Sequence, residues 1–456
     1  MTEPVQTPEQ RELTEHLVLD FMQMREFAKD PFVIAEGDGI RIRDVEGKTY
    51  IDGLSGVFVV ALGYNNRPII EAITAQLNTL SFAPPLHGTN TRALELAALI
   101  RRLTPAGIGT VKFLSGGSEA TEAAMKLARQ YHQQTGHPRK FKVISRYGAY
   151  HGATMGALSA SGGRERKSVF EPLGVGFLKV HPPYCYRCPF DKEYPACGIA
   201  CAKLVEKTIE AEDPETVSAV IMEPVSISSA GFVVPPPEFY RMLRETCDRH
   251  DVLLIFDEII CGFGRLGAMF GAQHYGVVPD IICCGKGMSG GYAPLAAILF
   301  KDSIQEAFLG EAEERREFHH GHTYGGNPVA CAAGIAAVRQ LVERRLVENG
   351  RQMGERMRRR LEAMYEKYPL IGDVRGAGFL QGIEFVKDRA TKEQFVDAKP
   401  GKLVEKEAKR RGLIMRSAEH FVAFAPPLIC REGDVDEMCD ILEECIRVVQ
   451  GQLLGS

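Results

Sequence analysis

Lys286 is the residue in this chain that most invites a chemical reading. It sits in Cys-Gly-Lys-Gly-Met-Ser-Gly-Gly, directly after the apolar run Ile281 to Cys284. Burial at a strand end pushes an amine toward its neutral, nucleophilic form, the state needed for a Schiff base. A snorkelling structural lysine is the plainer alternative, but the surrounding glycines leave its stem no apolar neighbours to lie along. A nucleotide-gripping P-loop would need glycine at 280 and Ser or Thr at 287, whereas the chain has Asp280 and Gly287, which excludes that motif.

Two other strand ends carry complementary groups. The run from Val252 to Ile259, VLLIFDEI, delivers Asp257 after five apolar residues. A carboxylate there needs a cation, and a structural ion pair with Arg265 or a catalytic role would each supply one. The run ending at Leu114 continues into Ser115-Gly116-Gly117-Ser118-Glu119-Ala120. The glycines let backbone approach a ligand, and Ser118 opens a helical pattern whose first amides could cradle a phosphate. An N-capped helix after a tight turn is the alternative. A third stretch, Gly262 to Gly267 (GFGRLG), matches a dinucleotide fingerprint, but Gly271, Gly276 and Pro279 break up the residues beyond it. A true fingerprint opens a long helix, so nicotinamide or flavin binding is disfavoured there. Amine, carboxylate and phosphate cradle together are what pyridoxal phosphate needs: a lysine to bond its aldehyde, an acid opposite the pyridine nitrogen and an anchored phosphate.

These groups must be positioned by a sheet. Short apolar runs beginning at Thr110, Phe141, Val217, Val252, Asp280 and Leu295 alternate with helical patterns such as Ser118 to Gln134. Near-continuous apolar strands separated by helices predict an α/β domain with a mainly parallel sheet covered on both faces. In such sheets ligands gather at the carboxyl ends of the strands. From about Cys331 long charged helices precede strand-like FLQGIEFV and HFVAFAP, which suggests a smaller α+β lobe. The division expected is 1–66 as a segment packing with that lobe and a neighbouring subunit, 67–332 as the large domain and 333–456 as the small one.

Composition narrows the class. The 456 residues are 45% hydrophobic and 25% charged, with formal net charge −4. That is ordinary for a globular protein with a sizeable core and leaves no basic field for nucleic acid. The polar, acidic start and the lack of any apolar run near ~18 residues disfavour a secretory leader or membrane span, so a cytoplasmic location is expected.

With these motifs in place the sequence resembles the class III (ω-amino acid:pyruvate type) aminotransferases of the fold type I pyridoxal phosphate enzymes. The likeness runs from YIDGLSGVFVVALGYN at Tyr50 to GLIMRS at Gly412, and implies a seven-stranded, mainly parallel sheet in the large domain. It assigns Lys286 as the Schiff-base lysine and the base that moves a proton. Asp257 becomes the partner of the pyridine nitrogen, and Ile260 packs against the cofactor ring. The amides of Gly117 and Ser118 hold the phosphate, although Ser115-Gly116 replace the more usual Asn-Ser. Tyr150, in the Tyr150-His151-Gly152 segment, stacks on the ring, and Glu223 of IMEPV lies near its phenolic side. Thr323 of HTYGGNP reaches the phosphate of the opposite subunit. The resemblance therefore implies a homodimer with shared sites, a tetramer remaining open, and ping-pong transamination between an amine donor and a keto acid.

Departures from the family pattern speak to specificity. Branches that use 2-oxoglutarate, 4-aminobutyrate- or ornithine-like, usually carry EPVQGE and DEVQTG; here the stretches read EPVSIS and DEIICG. Ser228 and Ile260 replace the glutamate and glutamine of those branches, which favours pyruvate as acceptor. A 2-oxoglutarate-dependent enzyme is the alternative, and an aminomutase or decarboxylase on the same fold a more distant one. In the pyruvate-linked branch Arg416 receives the acceptor's carboxylate, a task that suits a forked guanidinium. Phe58 stands where relatives often have tryptophan, and with Tyr150, and Phe82 from the other subunit, gives an apolar pocket wall. Cys185, Cys188, Cys197 and Cys201 are spaced C-x2-C-x8-C-x3-C; free thiols or a disulfide are favoured over zinc, and no metal is expected in the chemistry.

Overall fold

The computed structural model describes residues 16–227 and 231–455. Its strands in chain order are β1 (Ile34–Asp38), β2 (Arg41–Asp44), β3 (Thr49–Asp52), β4 (Ile108–Leu114), β5 (Lys142–Arg146), β6 (Phe177–Val180), β7 (Val217–Met222), β8 (Leu253–Asp257), β9 (Ile281–Cys284), β10 (Ala296–Lys301), β11 (Ile371–Ala377), β12 (Leu380–Phe385), β13 (Leu413–Ile414), β14 (Arg416–Ser417) and β15 (Phe421–Phe424). The longer helices are α1 (Arg67–Leu77), α2 (Thr91–Arg101), α3 (Gly117–Gln134), α4 (Ala200–Ala211), α5 (Phe239–Arg249), α6 (Pro328–Glu343), α7 (Leu346–Lys367), α8 (Pro400–Arg410) and α9 (Glu432–Leu453).

Seven strands form the central sheet in the order β4-β10-β9-β8-β7-β5-β6. Every residue of β7, β8 and β9 is buried, as unbroken apolar runs require when helices cover both faces. The six runs read from the sequence each become a strand, and β6 at the edge is the seventh. Neighbours from β6 to β9 pair in parallel, while β10 is antiparallel to both β9 and β4. The apolar run LAAILF carried no sign of its direction, because strand direction is set by the connection and not by the residues.

Register decides what the sheet presents. Asp257 pairs with Cys283 and Met222 with Phe256, so Glu223, Asp257 and Lys286 leave three adjacent parallel strands at one edge. Ala296 at the start of antiparallel β10 pairs with Leu114 at the end of β4, which brings the Ser115–Ser118 turn to the same edge. A mixed sheet thus still gathers its chemistry at the carboxyl ends of its parallel strands.

Two smaller sheets flank this one in sequence. β1-β2-β3-β13 joins residues near the start of the chain to 413–414, with Ile51 paired to Leu413, and β11-β12-β15-β14 is antiparallel. α7 buries Met353, Met357, Leu361 and Met364, one stripe at helical spacing. Its other side carries Arg356 and Arg360, which reach Asp436 and Asp440 of α9; such exposed pairs contribute about 1 kcal/mol or less each. Among the described residues no helix is long and apolar enough to cross a membrane.

Candidate active site

At this edge lies a cavity of about 200 Å³. Its lining draws Gly117 and Ser118 from the start of α3, Tyr150 and His151 from the loop after β5, and Glu223, Asp257, Ile260 and Lys286 from the ends of the central strands. Eight residues expected from the sequence to surround one ligand therefore meet in one place.

Lys286 occupies the left-handed backbone region at φ +44°, a conformation non-glycine residues adopt only when their surroundings hold them there. Burial pulls its ammonium down to about 8, against an opposing pull from the Asp257 carboxylate; Arg416 and Arg265 lower it further. The strand-end amine is thus far closer to neutral than a surface lysine.

Asp257 is 5% exposed. Its ion partner is His151, whose Nδ1 lies 2.8 Å from Oδ2, and not Arg265. Oδ1 accepts from the Ile259 amide at 3.2 Å. His151 is itself fixed by its amide on Ser161 Oγ and its carbonyl on Thr121 Oγ1. Arg265 is fully buried without a carboxylate among the described residues; it donates to the carbonyls of Ala425 and Pro426 and to Ser55 Oγ. The GFGRLG stretch that contains it is a run of turns rather than the start of a long helix.

Glu223 is held by Arg146, whose guanidinium donates to Oε2 at 2.8 Å, and its Oε1 accepts from the Tyr150 amide at 3.1 Å. This ion pair ties the strand carrying Glu223 to the loop carrying Tyr150, so the Tyr150 ring is set by a buried charge pair. In the turn before α3, the Glu119 carboxylate accepts from the Ser115 and Gly116 amides. The amides of Gly117 and Ser118, first in the helix, have no carbonyl one turn back to serve. They form the positive end of an 18-residue helix, a ready anion site. A Cβ on Gly117 would come 3.1 Å from Ile259, and one on Gly152 only 2.5 Å from Ser118 Oγ, so glycine keeps this corner open.

Ile259 is a cavity residue that sequence reasoning passed over in favour of its neighbour Ile260; both line the space. Period-two alternation from Asp257 would have pointed to Ile259. Val225, Ile227 and Cys261 add apolar surface. Phe58 stands with its ring centroid 6.0 Å from Lys286 Nζ, and Arg416 acts on Lys286 through its charge. Thr323 is not brought to this cavity within the chain. It is exposed in a separate groove of about 830 Å³ that also contains Phe82. Its neighbour His322 contacts Ser115 Oγ at 2.8 Å. Ser228 lies outside the described residues.

The residues fit pyridoxal phosphate on structural grounds: an enclosed amine, a buried carboxylate aligned by histidine, a helix start with unserved amides, and glycines that leave room for a flat ring. The four spaced cysteines are unpaired thiols around a cavity of about 20 Å³. They do not converge as ligands, since among the described residues the only close set of three ligand atoms belongs to Glu206, Glu210 and His250.

The aminotransferase class-III family profile matches residues 23–446. Adenosylmethionine-8-amino-7-oxononanoate aminotransferase of Geobacter sulfurreducens is 38% identical over 96% of each chain. Taurine–pyruvate aminotransferase of Bilophila wadsworthia is 35% identical, over 92% of this chain and 93% of that one. The solved ω-transaminase of Pseudomonas jessenii in complex with PMP superposes with a TM-score of 0.94 at 32% identity, covering 99% of this chain and 100% of that one.

Proposed function

The chain belongs to the class III aminotransferases, pyridoxal phosphate-dependent enzymes of fold type I, and from that premise we propose that it moves an amino group from an ω-amino acid or primary amine to pyruvate. The observation that carries this reading is the meeting of Lys286, Asp257 and the start of α3 around one cavity. Bound there, pyridoxal phosphate supplies an electron sink through its pyridine ring. Lys286 Nζ, brought toward its neutral form by burial, would hold the cofactor through its aldehyde and would serve as the base that moves a proton to and from the substrate carbon. Asp257, aligned by His151, holds a proton on the pyridine nitrogen. The Gly117 and Ser118 amides would anchor the phosphate, Tyr150 with Ile259 or Ile260 would hold the ring between them, and Glu223 would lie at its phenolic side; all six line the cavity. Thr323 completes the phosphate site of a second copy, so the active form is a homodimer.

Pyruvate is favoured as acceptor by Ile260 at the cavity and by Arg416, whose Nε is buried without a partner among the described residues, as a waiting carboxylate site would be. The taurine–pyruvate relative supports the same branch, whereas the Geobacter relative is named for a different donor and acceptor. A donor panel run in parallel against pyruvate and 2-oxoglutarate tests the reading. Turnover with pyruvate at least about ten-fold above that with 2-oxoglutarate is expected, the scale of one well-placed charged hydrogen bond. Preference for 2-oxoglutarate would assign the chain to the other branch.

A further inference from the structure

A second guanidinium stacks on a cavity residue and has no role in the transamination scheme. Arg166 lies in the short helix Arg164–Lys167. Its guanidinium carbon is 4.6 Å from the centroid of the Tyr150 ring and 4.2 Å from that of Phe21. Two aromatic faces thus hold one cation in place, and one of them, Tyr150, lines the cavity beside Lys286.

Arg416 lies near enough for its charge to act on Lys286 and to feel that of Arg166. Its Nε is buried and has no hydrogen-bond partner among the described residues. Its guanidinium is pulled below its usual value first by burial and then by the charge of Arg166, with Glu405 opposing more weakly. Among the described residues neither Arg166 nor Arg416 has a carboxylate at ion-pair distance. Two partly buried like charges without a paired counter-ion repel each other and are poorly solvated. An anion entering between them relieves both penalties. A neutral substrate relieves neither.

We propose that Arg166 is a specificity-determining residue which, with Arg416, receives the acid group of the donor, so that aliphatic amines ending in a carboxylate or sulfonate are preferred over neutral amines. The proposal rests on the transaminase reading and names the donor class for that site. Stacking on Tyr150 gives the guanidinium a fixed plane, which suits bidentate contact with a compact oxyanion.

The test uses the holoenzyme and three donors of similar length: β-alanine, 2-aminoethanesulfonate and butylamine. The donor half-reaction is followed by loss of the cofactor's visible colour, for wild type, Arg166→Gln and Arg166→Lys. Arg166→Gln is expected to lower the ratio of kcat/KM for acidic over neutral donor by about ten-fold or more, the scale of a charged hydrogen bond, and to do so through KM. Arg166→Lys, which keeps the charge, should restore part of the ratio. A fall confined to the sulfonate or to the carboxylate assigns the site to that acid. Equal losses for all donors would mark Arg166 as a strap for Phe21 and overturn the inference, as would an unmoved ratio. A wild type inert toward all three donors would overturn the transaminase reading itself, a different outcome from a reactive wild type whose ratio ignores Arg166.

Discussion

Replacing Lys286 with Ala is expected to lower transamination by roughly 10⁴-fold or more, because the change removes both the nucleophile and the proton carrier. Cofactor retention is a separate matter: the start of α3, Asp257 and Tyr150 remain, so the variant should still bind pyridoxal phosphate non-covalently. Steady-state rates with amine and pyruvate, set against a thermal melt that confirms folding, measure the effect. The wild type offers a matching pH signature. Burial brings the Lys286 ammonium down to about 8. Below that pH the amine is protonated and cannot attack an aldehyde; above it the neutral form dominates. Capture of pyridoxal phosphate by apoprotein should therefore rise as pH approaches 8 and level off beyond it. An ordinary lysine would go on gaining to about 10.4.

Asp257→Asn carries the second large expectation. Asparagine keeps the shape and can still accept from His151 Nδ1, so the fold around it should survive. What goes is the negative charge that would hold a proton on the pyridine nitrogen, a fixed electrostatic contribution of the kind worth about 10²–10³ in kcat. The same charge raises the Lys286 value. Its removal should shift the midpoint of cofactor capture below 8 while turnover falls. Opposite movements of capture and turnover in one variant would separate an electrostatic role from simple damage to packing. If both properties were unaffected, Asp257 would be a structural ion pair with His151 and nothing more.

What the sequence disclosed depended on how local the cause was. Strands β7, β8 and β9 were legible because burial on both faces leaves an unbroken apolar run, and a polar residue at the end of such a run is conspicuous. Lys286 and Asp257 stood out for that reason, and Gly117 because a Cβ there would crowd Ile259. Contacts made across the fold left no comparable trace. His151 and Asp257 are 106 residues apart, and nothing in either segment announces the other. Arg265, eight residues beyond Asp257, looked the nearer partner but turns instead to the carbonyls of residues 425 and 426. β6, an edge strand with a lysine in only four residues, lacks the apolar run that betrayed the others. The four-residue helix RERK gave no hint that Arg166 stacks on Tyr150, since cation–π contact depends on where two loops meet. Arg416 was visible only through the family likeness; in isolation it reads as a solvated strand-end arginine.

The central claim is that Lys286 is the residue bonded to the cofactor, and chemical trapping tests it most directly. Holoprotein is reduced with borohydride, digested, and its peptides are sequenced by mass spectrometry. The pyridoxyl phosphate mass is expected on the peptide containing Lys286, and should be lost from that peptide when an amine donor is added before reduction. A label on any other lysine, or none on a protein shown to hold the cofactor, would contradict the claim.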